Sequence, residues 1–182
     1  MNTRRIILII VIVVLALSIT FSWYHLDVRA QNQNTLNNMR ARSLSSYGSE
    51  IVTISFFLEK YLETLDLDII HQEVRWGIPR AIWEADSCVQ GLDPDSGLIY
   101  YELKGVALAL QFFFVDNNGY ENATNVQSII QLLTSIGEPF SGLYILENKD
   151  PLQNLAGSDV NTIVNLCEQL IELTGYGYSP YY

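Results

Sequence analysis

The chain has 182 residues, with 20 acidic side chains against 10 basic ones and a formal net charge of −10. An acidic chain repels phosphate backbones, so a nucleic-acid partner is disfavoured and the same repulsion disfavours anionic lipid headgroups. Two cysteines and two histidines leave little from which to build a zinc site, and no cofactor is called for.

Ile6 to Tyr24 is a stretch of nineteen residues without a charge, opening with the unbroken apolar run Ile6–Leu17. As a helix it would be roughly 28 Å long, about the thickness of a bilayer's hydrocarbon. Trp23 and Tyr24 fall at its far end, where amphipathic rings favour the headgroup layer. A transmembrane anchor over 6–24 is therefore expected. A cleaved signal peptide is the rival reading, with Val28-Arg29-Ala30 before Gln31 as a cleavage site and Thr20-Phe21-Ser22 as a poorer one. Arg4, Arg5 and the amino terminus precede the span, while Arg29, Arg40 and Arg42 follow it. Positive charge nearest the helix counts most, which predicts a cytoplasmic tail over 1–5 and the bulk of the chain extracytoplasmic, in a single-pass cell-membrane protein.

Residues 25–47 read as a polar stalk, rich in Asn and Gln, in which Leu36, Met39, Tyr47 and Ile51 keep helical spacing. A helical domain is expected over 48–175. Gly48 or Ser49 opens a helix in which Ile51, Ile54, Leu58, Leu62, Leu65 and Ile69 form an apolar stripe, widened by Phe56 and Phe57. Glu50, Glu59, Lys60 and Glu63 mark its solvent side. Trp76-Gly77-Ile78-Pro79 interrupts the pattern, and Pro79 is placed to start a new helix running from Arg80 to about Val89. After a loop rich in turn residues at 91–97 comes a nearly all-apolar helix, Leu98–Val115. Gly119 is placed to cap it in the left-handed conformation. A further helix runs from Asn122 or Thr124 to Gly137, with a loop predicted over Glu138–Gly142. Asp150-Pro151 starts a brief helical turn, and Val160, Ile163, Val164, Cys167, Leu170 and Ile171 line the inner face of a last helix ending at Thr174. Residues 176–182 form a Tyr-rich tail. The fold class is all-α: an N-terminal transmembrane helix plus a small domain of α/α hairpins or an irregular bundle.

Two segment pairs echo one another. Ser96-Gly97-Leu98 with Glu102 and Lys104 is matched by Ser141-Gly142-Leu143 with Glu147 and Lys149, and the segment 125–133 by 159–167. Loop-then-helix order of this kind suggests stacked helical pairs. On Asp95-Ser96-Gly97-Leu98, Lys104 and the Ala/Leu-rich helix that follows, residues 92–175 resemble α/α-toroid proteins such as the six-hairpin glycosidases and the prenyltransferase-type repeats. The resemblance implies α/α hairpins. No catalytic residue of those families maps onto this chain, so it implies no activity.

Trp76, Trp83, Glu84 and Asp86 are the most suggestive ligand-binding candidates, because aromatic platforms beside carboxylates build sugar sites. Two core tryptophans seven residues apart would share a face in the same way. Glu84 and Asp86 diverge by some 200° on a helix and cannot face each other. Asp93 and Asp95 suggest a calcium loop, but with Asp93 at position 1 the sixth and twelfth positions are Leu98 and Lys104, and a register with Gly119 sixth puts Phe114 first and Asn125 twelfth, where Gly, Asp and Glu are needed. His71 has no sequence-adjacent nucleophile or motif. Cys88 and Cys167 are candidates for a disulfide if the domain is exported, and otherwise for two buried thiols. Asn122-Ala123-Thr124 is a glycosylation sequon. The leading expectation is a membrane-anchored binding module with a protein or glycan partner. A membrane-tethered carbohydrate-active enzyme, or a fragment of one, and a sensor-type ligand-binding domain are the alternatives.

Overall fold

A computed structural model describes residues 3–64, 67–90, 98–117, 119, 123–141, 143, 151–154 and 160–177. Among the described residues five α-helices follow in order: α1 Thr3–Thr64, α2 Leu67–Gln90, α3 Leu98–Leu110, α4 Ala123–Ser141 and α5 Val160–Thr174. A π-helical turn, Gln111–Asp116, extends α3, and a 3-10 turn spans Pro151–Asn154. No strand occurs among the described residues, so the all-α class holds.

The long helix α1 has two parts with opposite surroundings. From Ile10 to Leu26 its large apolar side chains are exposed on every side. From Ala41 onward, Leu44, Tyr47, Ile51, Ile54 and Leu58 are buried on one face. Neither Gly48 nor the polar stretch before it interrupts the helix. The opening expected at Gly48 or Ser49 is absent because Gly48 serves a contact with another helix.

A Cβ at Gly48 would lie 2.6 Å from the Phe140 Cβ and 2.7 Å from the Gly137 carbonyl oxygen. A Cβ at Gly137 would lie 2.8 Å from Val52 and 3.0 Å from the Gly48 carbonyl oxygen. The two glycines thus let α1 and α4 cross backbone to backbone, with the chains antiparallel. On the other flank of α1, Gly77 of α2 faces the Phe57 ring at 3.1 Å. Further contacts join α2 to α3, α3 to α5 and α5 to α4, so each helix packs on two others. Tyr47 reaches inward from α1, and its hydroxyl donates to the Leu103 carbonyl of α3 at 3.1 Å. Its ring meets Phe140 of α4 edge-on at 6.2 Å.

Two predicted helix boundaries are corrected. Pro79 lies inside α2, and Pro139 lies inside α4, with Phe140 after it fully buried. Each proline removes one backbone donor, a local cost that burial of Ile78 and Phe140 offsets. The stripe expected to continue through Leu65 and Ile69 is followed only to Leu62, since Leu65 and the side chain of Ile69 lie outside the described residues.

Gly119 is not left-handed. It sits against the Phe113 ring, where a Cβ would clash. Asn117 closes α3 instead, donating to the Phe112 carbonyl from its backbone at 3.1 Å and its side chain at 2.8 Å. Among the described glycines the positive φ belongs to Gly175, at 71°, just after α5. Tyr176 then packs its ring on Phe112 at 5.5 Å, which draws the start of the Tyr-rich tail onto the domain.

The glycine crossing yields a direct test. Gly48→Ala should lower stability by about 1–3 kcal/mol, because backbone on the facing helix cannot withdraw as a flexible side chain would. Gly177→Ala, with nothing within 4 Å of its Cβ, is the control. Thermal melts of the two variants should show a lowered Tm for the first alone.

Candidate functional site

α2 carries most of the sequence candidates and distributes them over different faces. Trp83 is 68% exposed and points away from the core. The side chain of Trp76 lies outside the described residues, as do His71's side chain, Asp93, Asp95 and Asn122. Arg80 and Glu84, one turn apart, form an ion pair at 2.7 Å. Asp86 instead lies near enough to Tyr47 for its charge to act on that hydroxyl. Glu84 and Asp86 therefore work on separate surfaces, as their 200° separation on a helix requires.

The partner of Glu84 across the helix boundary is Glu50 of α1. Their carboxyls are neighbours, and the Glu50 pKa is raised by its partial burial, then by the Glu84 charge, with Arg80 pulling the other way. Glu50 reads in the sequence as one more solvent-side charge. Only the antiparallel register of α1 on α2 could have identified it, and that register depends on Gly77 meeting Phe57.

Inside the domain, Tyr47 is the polar centre. Burial raises its pKa well above the usual value, and the neighbouring Cys167, Cys88 and Asp86 add to the shift. Cys88 and Cys167 are both free thiols, Cys88 half-buried and Cys167 fully buried. Burial raises both thiol pKa values, helped for Cys88 by Glu50 and Glu84 and for Cys167 by Glu102 and Glu168. Neither environment makes a thiolate, so neither cysteine is an activated nucleophile. Glu102 of α3 is only 2% exposed. Its burial raises the carboxyl pKa, and Glu168 on α5 raises it further.

Among the described residues, no group of three His, Cys, Asp or Glu side chains is arranged to hold a metal ion. A shallow cavity of about 270 Å³ lies beside Ala41, Arg42, Ser45, Ser46 and Leu143, remote from the α2 candidates in sequence. The site thus brings together Trp83, Arg80, Glu84 and Glu50 on the outer α1/α2 surface, and Tyr47, Asp86, Cys88 and Cys167 inside. No family model, no curated protein and no solved structure matches the chain.

Two measurements follow. Alkylation without reductant should label Cys88 alone in the native protein and both thiols after denaturation; no label in denaturant would mean a bridge. Glu50 and Glu102 both have raised carboxyl pKa values, so the folded state holds their protons more tightly than the unfolded chain. Their contribution is full below the usual carboxylate pKa and is lost as pH rises through the folded value. Glu50→Gln and Glu102→Gln should each flatten the fall in stability above that range, and denaturant titrations at pH 4 to 8 check this.

Proposed function

We propose that the protein is a single-pass membrane protein anchored through residues 6–24, presenting an acidic helical domain outside the cytoplasm that acts by binding a protein or glycan partner. The observation that carries this reading is the contrast along α1. Its Ile10–Leu26 stretch exposes apolar side chains all round, whereas the same helix buries a face from Ala41 on. It is also the helix among the described residues that is long and apolar enough to cross a membrane.

The few polar groups in the stretch are compatible with hydrocarbon. Ser18 donates to the Val14 carbonyl at 2.9 Å, and Thr20 to those of Leu17 and Ala16 at 2.9 and 3.1 Å. The Ser18 and Thr20 hydroxyl protons thus have partners within the helix itself. Insertion of the Ile, Val and Leu residues of 6–24 favours the membrane by on the order of 5 kcal/mol. Arg4 and Arg5 support an inside amino terminus.

Binding is the reading that the α2 surface supports over hydrolysis. Trp83 is an exposed aromatic of the kind that anchors interfaces, flanked by the Arg80–Glu84 pair. The carbohydrate-active alternative would use Glu50 and Glu84 as its carboxyl pair. Arg80 holds Glu84 in an ion pair at 2.7 Å, which ties up one carboxyl of that pair.

Full-length protein in cells should stay with the membrane through an alkaline wash, and its carboxy terminus should be cut by protease added to sealed cells. Release by the wash, or a mature amino terminus at Gln31, would overturn the anchor. A protected carboxy terminus would overturn the orientation.

A further inference from the structure

We infer that residues 25–40 of α1 are a rigid spacer that holds the acidic domain at a set distance from the membrane surface. The inference rests on the reading of 6–24 as the span and adds a geometric role for the segment after it. α1 is helical without interruption from the apolar stretch to the core. Among the described side chains of α1, Ala41 is the first that is buried. From Tyr24 to Ala41 is seventeen residues, or roughly 25 Å of helix.

On composition alone this segment is a poor helix. Gln31-Asn32-Gln33-Asn34-Thr35 and Asn37-Asn38 are rich in Asn and Thr, which each cost about half a kcal/mol against Ala. An isolated peptide of that sequence would also carry the penalty of nucleation. Here nucleation is met at both ends, by the apolar stretch before it and by the packed Leu44–Leu58 face after it. Only propagation remains. Asp27 accepts a hydrogen bond from Gln31 at 2.9 Å, and the Thr35 hydroxyl donates to the Gln31 carbonyl, both one turn apart. Asn34, Asn37 and Asn38 are half-buried, so the core end of the segment has begun to pack.

The stand-off has an electrostatic consequence. From Gln31 onward the chain carries 19 acidic and 7 basic side chains. Screened repulsion from anionic headgroups decays over about 8 Å at physiological salt. From Tyr24 to Asn34, where packing begins, is roughly 15 Å, about two such lengths, which weakens that repulsion several-fold. A flexible tether of equal length would let the domain sample the surface. The helix also links the azimuth of the span to that of the domain, since Gly48 and Gly137 lock α1 against α4.

Nitroxides at Arg29→Cys and Arg42→Cys, both exposed positions, test the spacer in the full chain. The background is Cys88→Ser, with the buried Cys167 left in place and a single-site control confirming that it stays unlabelled. In lipid nanodiscs, dipolar electron-spin measurements should give one narrow distribution, within a few ångström of the roughly 20 Å that thirteen helical residues span. Gln33→Pro, which removes a backbone donor in mid-segment, should broaden it. A broad or much shorter distribution in the unmutated spacer overturns the inference, as does a distribution that Gln33→Pro leaves unchanged. Liposome flotation of the same labelled protein tests the span separately. A narrow distance in protein that fails to float would refute the membrane reading and leave a rigid helix.

Discussion

The domain depends on the approach of α1 to α4 at Gly48 and Gly137. Neither residue leaves space for a methyl group, so the two backbones meet at a distance that other residues would prevent. Everything nearby is set by that distance. Phe140 comes against Tyr47, Tyr47 is turned into the centre, and its hydroxyl reaches the Leu103 carbonyl of α3. Two glycines in helices cost about 1 kcal/mol each relative to alanine. The burial of Tyr47, Ile51, Ile136 and Phe140 around the crossing exceeds that cost, at about 1.5–3 kcal/mol for each large apolar side chain.

Polar groups placed inside this packing are few and serve different ends. Tyr47 and Ser55 donate to carbonyls, at 3.1 and 2.8 Å, so their burial carries little penalty. Glu102 is buried near another carboxylate, which favours its neutral form. The surface pair Glu50 and Glu84 follows the same logic across the α1/α2 contact, with Arg80 as counterweight. An acidic chain folded this way carries its charge mostly outward and tolerates protons where helices meet.

Much of the helical content is legible in the sequence because apolar residues at three- and four-residue intervals mark the faces that become buried. Val126, Ile129, Ile130 and Leu133 in α4, and Ile163, Val164, Cys167 and Leu170 in α5, lie where periodicity puts them. Gly48, Gly77 and Gly137 resist such reading, because a glycine that admits a neighbouring helix looks the same as one that makes a turn. Pro79 and Pro139 mislead likewise, since their local cost is visible in sequence and the tertiary burial that offsets it is not. On the candidate site, the divergence of Glu84 from Asp86 follows from helix geometry alone. The exposure of Trp83 and the proximity of Glu50 to Glu84 depend on which face α2 turns to α1, a tertiary choice that no local pattern encodes.

The same distinction explains why the polar stretch after Tyr24 is helix rather than tether. The spacing of Leu36, Met39, Tyr47 and Ile51 reads as helix in the sequence, although the Asn-rich composition gives a poor local propensity. A segment joined to helix at each end, however, needs no nucleus of its own, and a few tenths of a kcal/mol per residue decides less than the cost of starting twice. Breaking α1 within the stalk would expose backbone groups there and free Asp27 and Thr35 from partners one turn away. The apolar stretch and the core therefore stabilise the segment between them, within one helix of 62 residues.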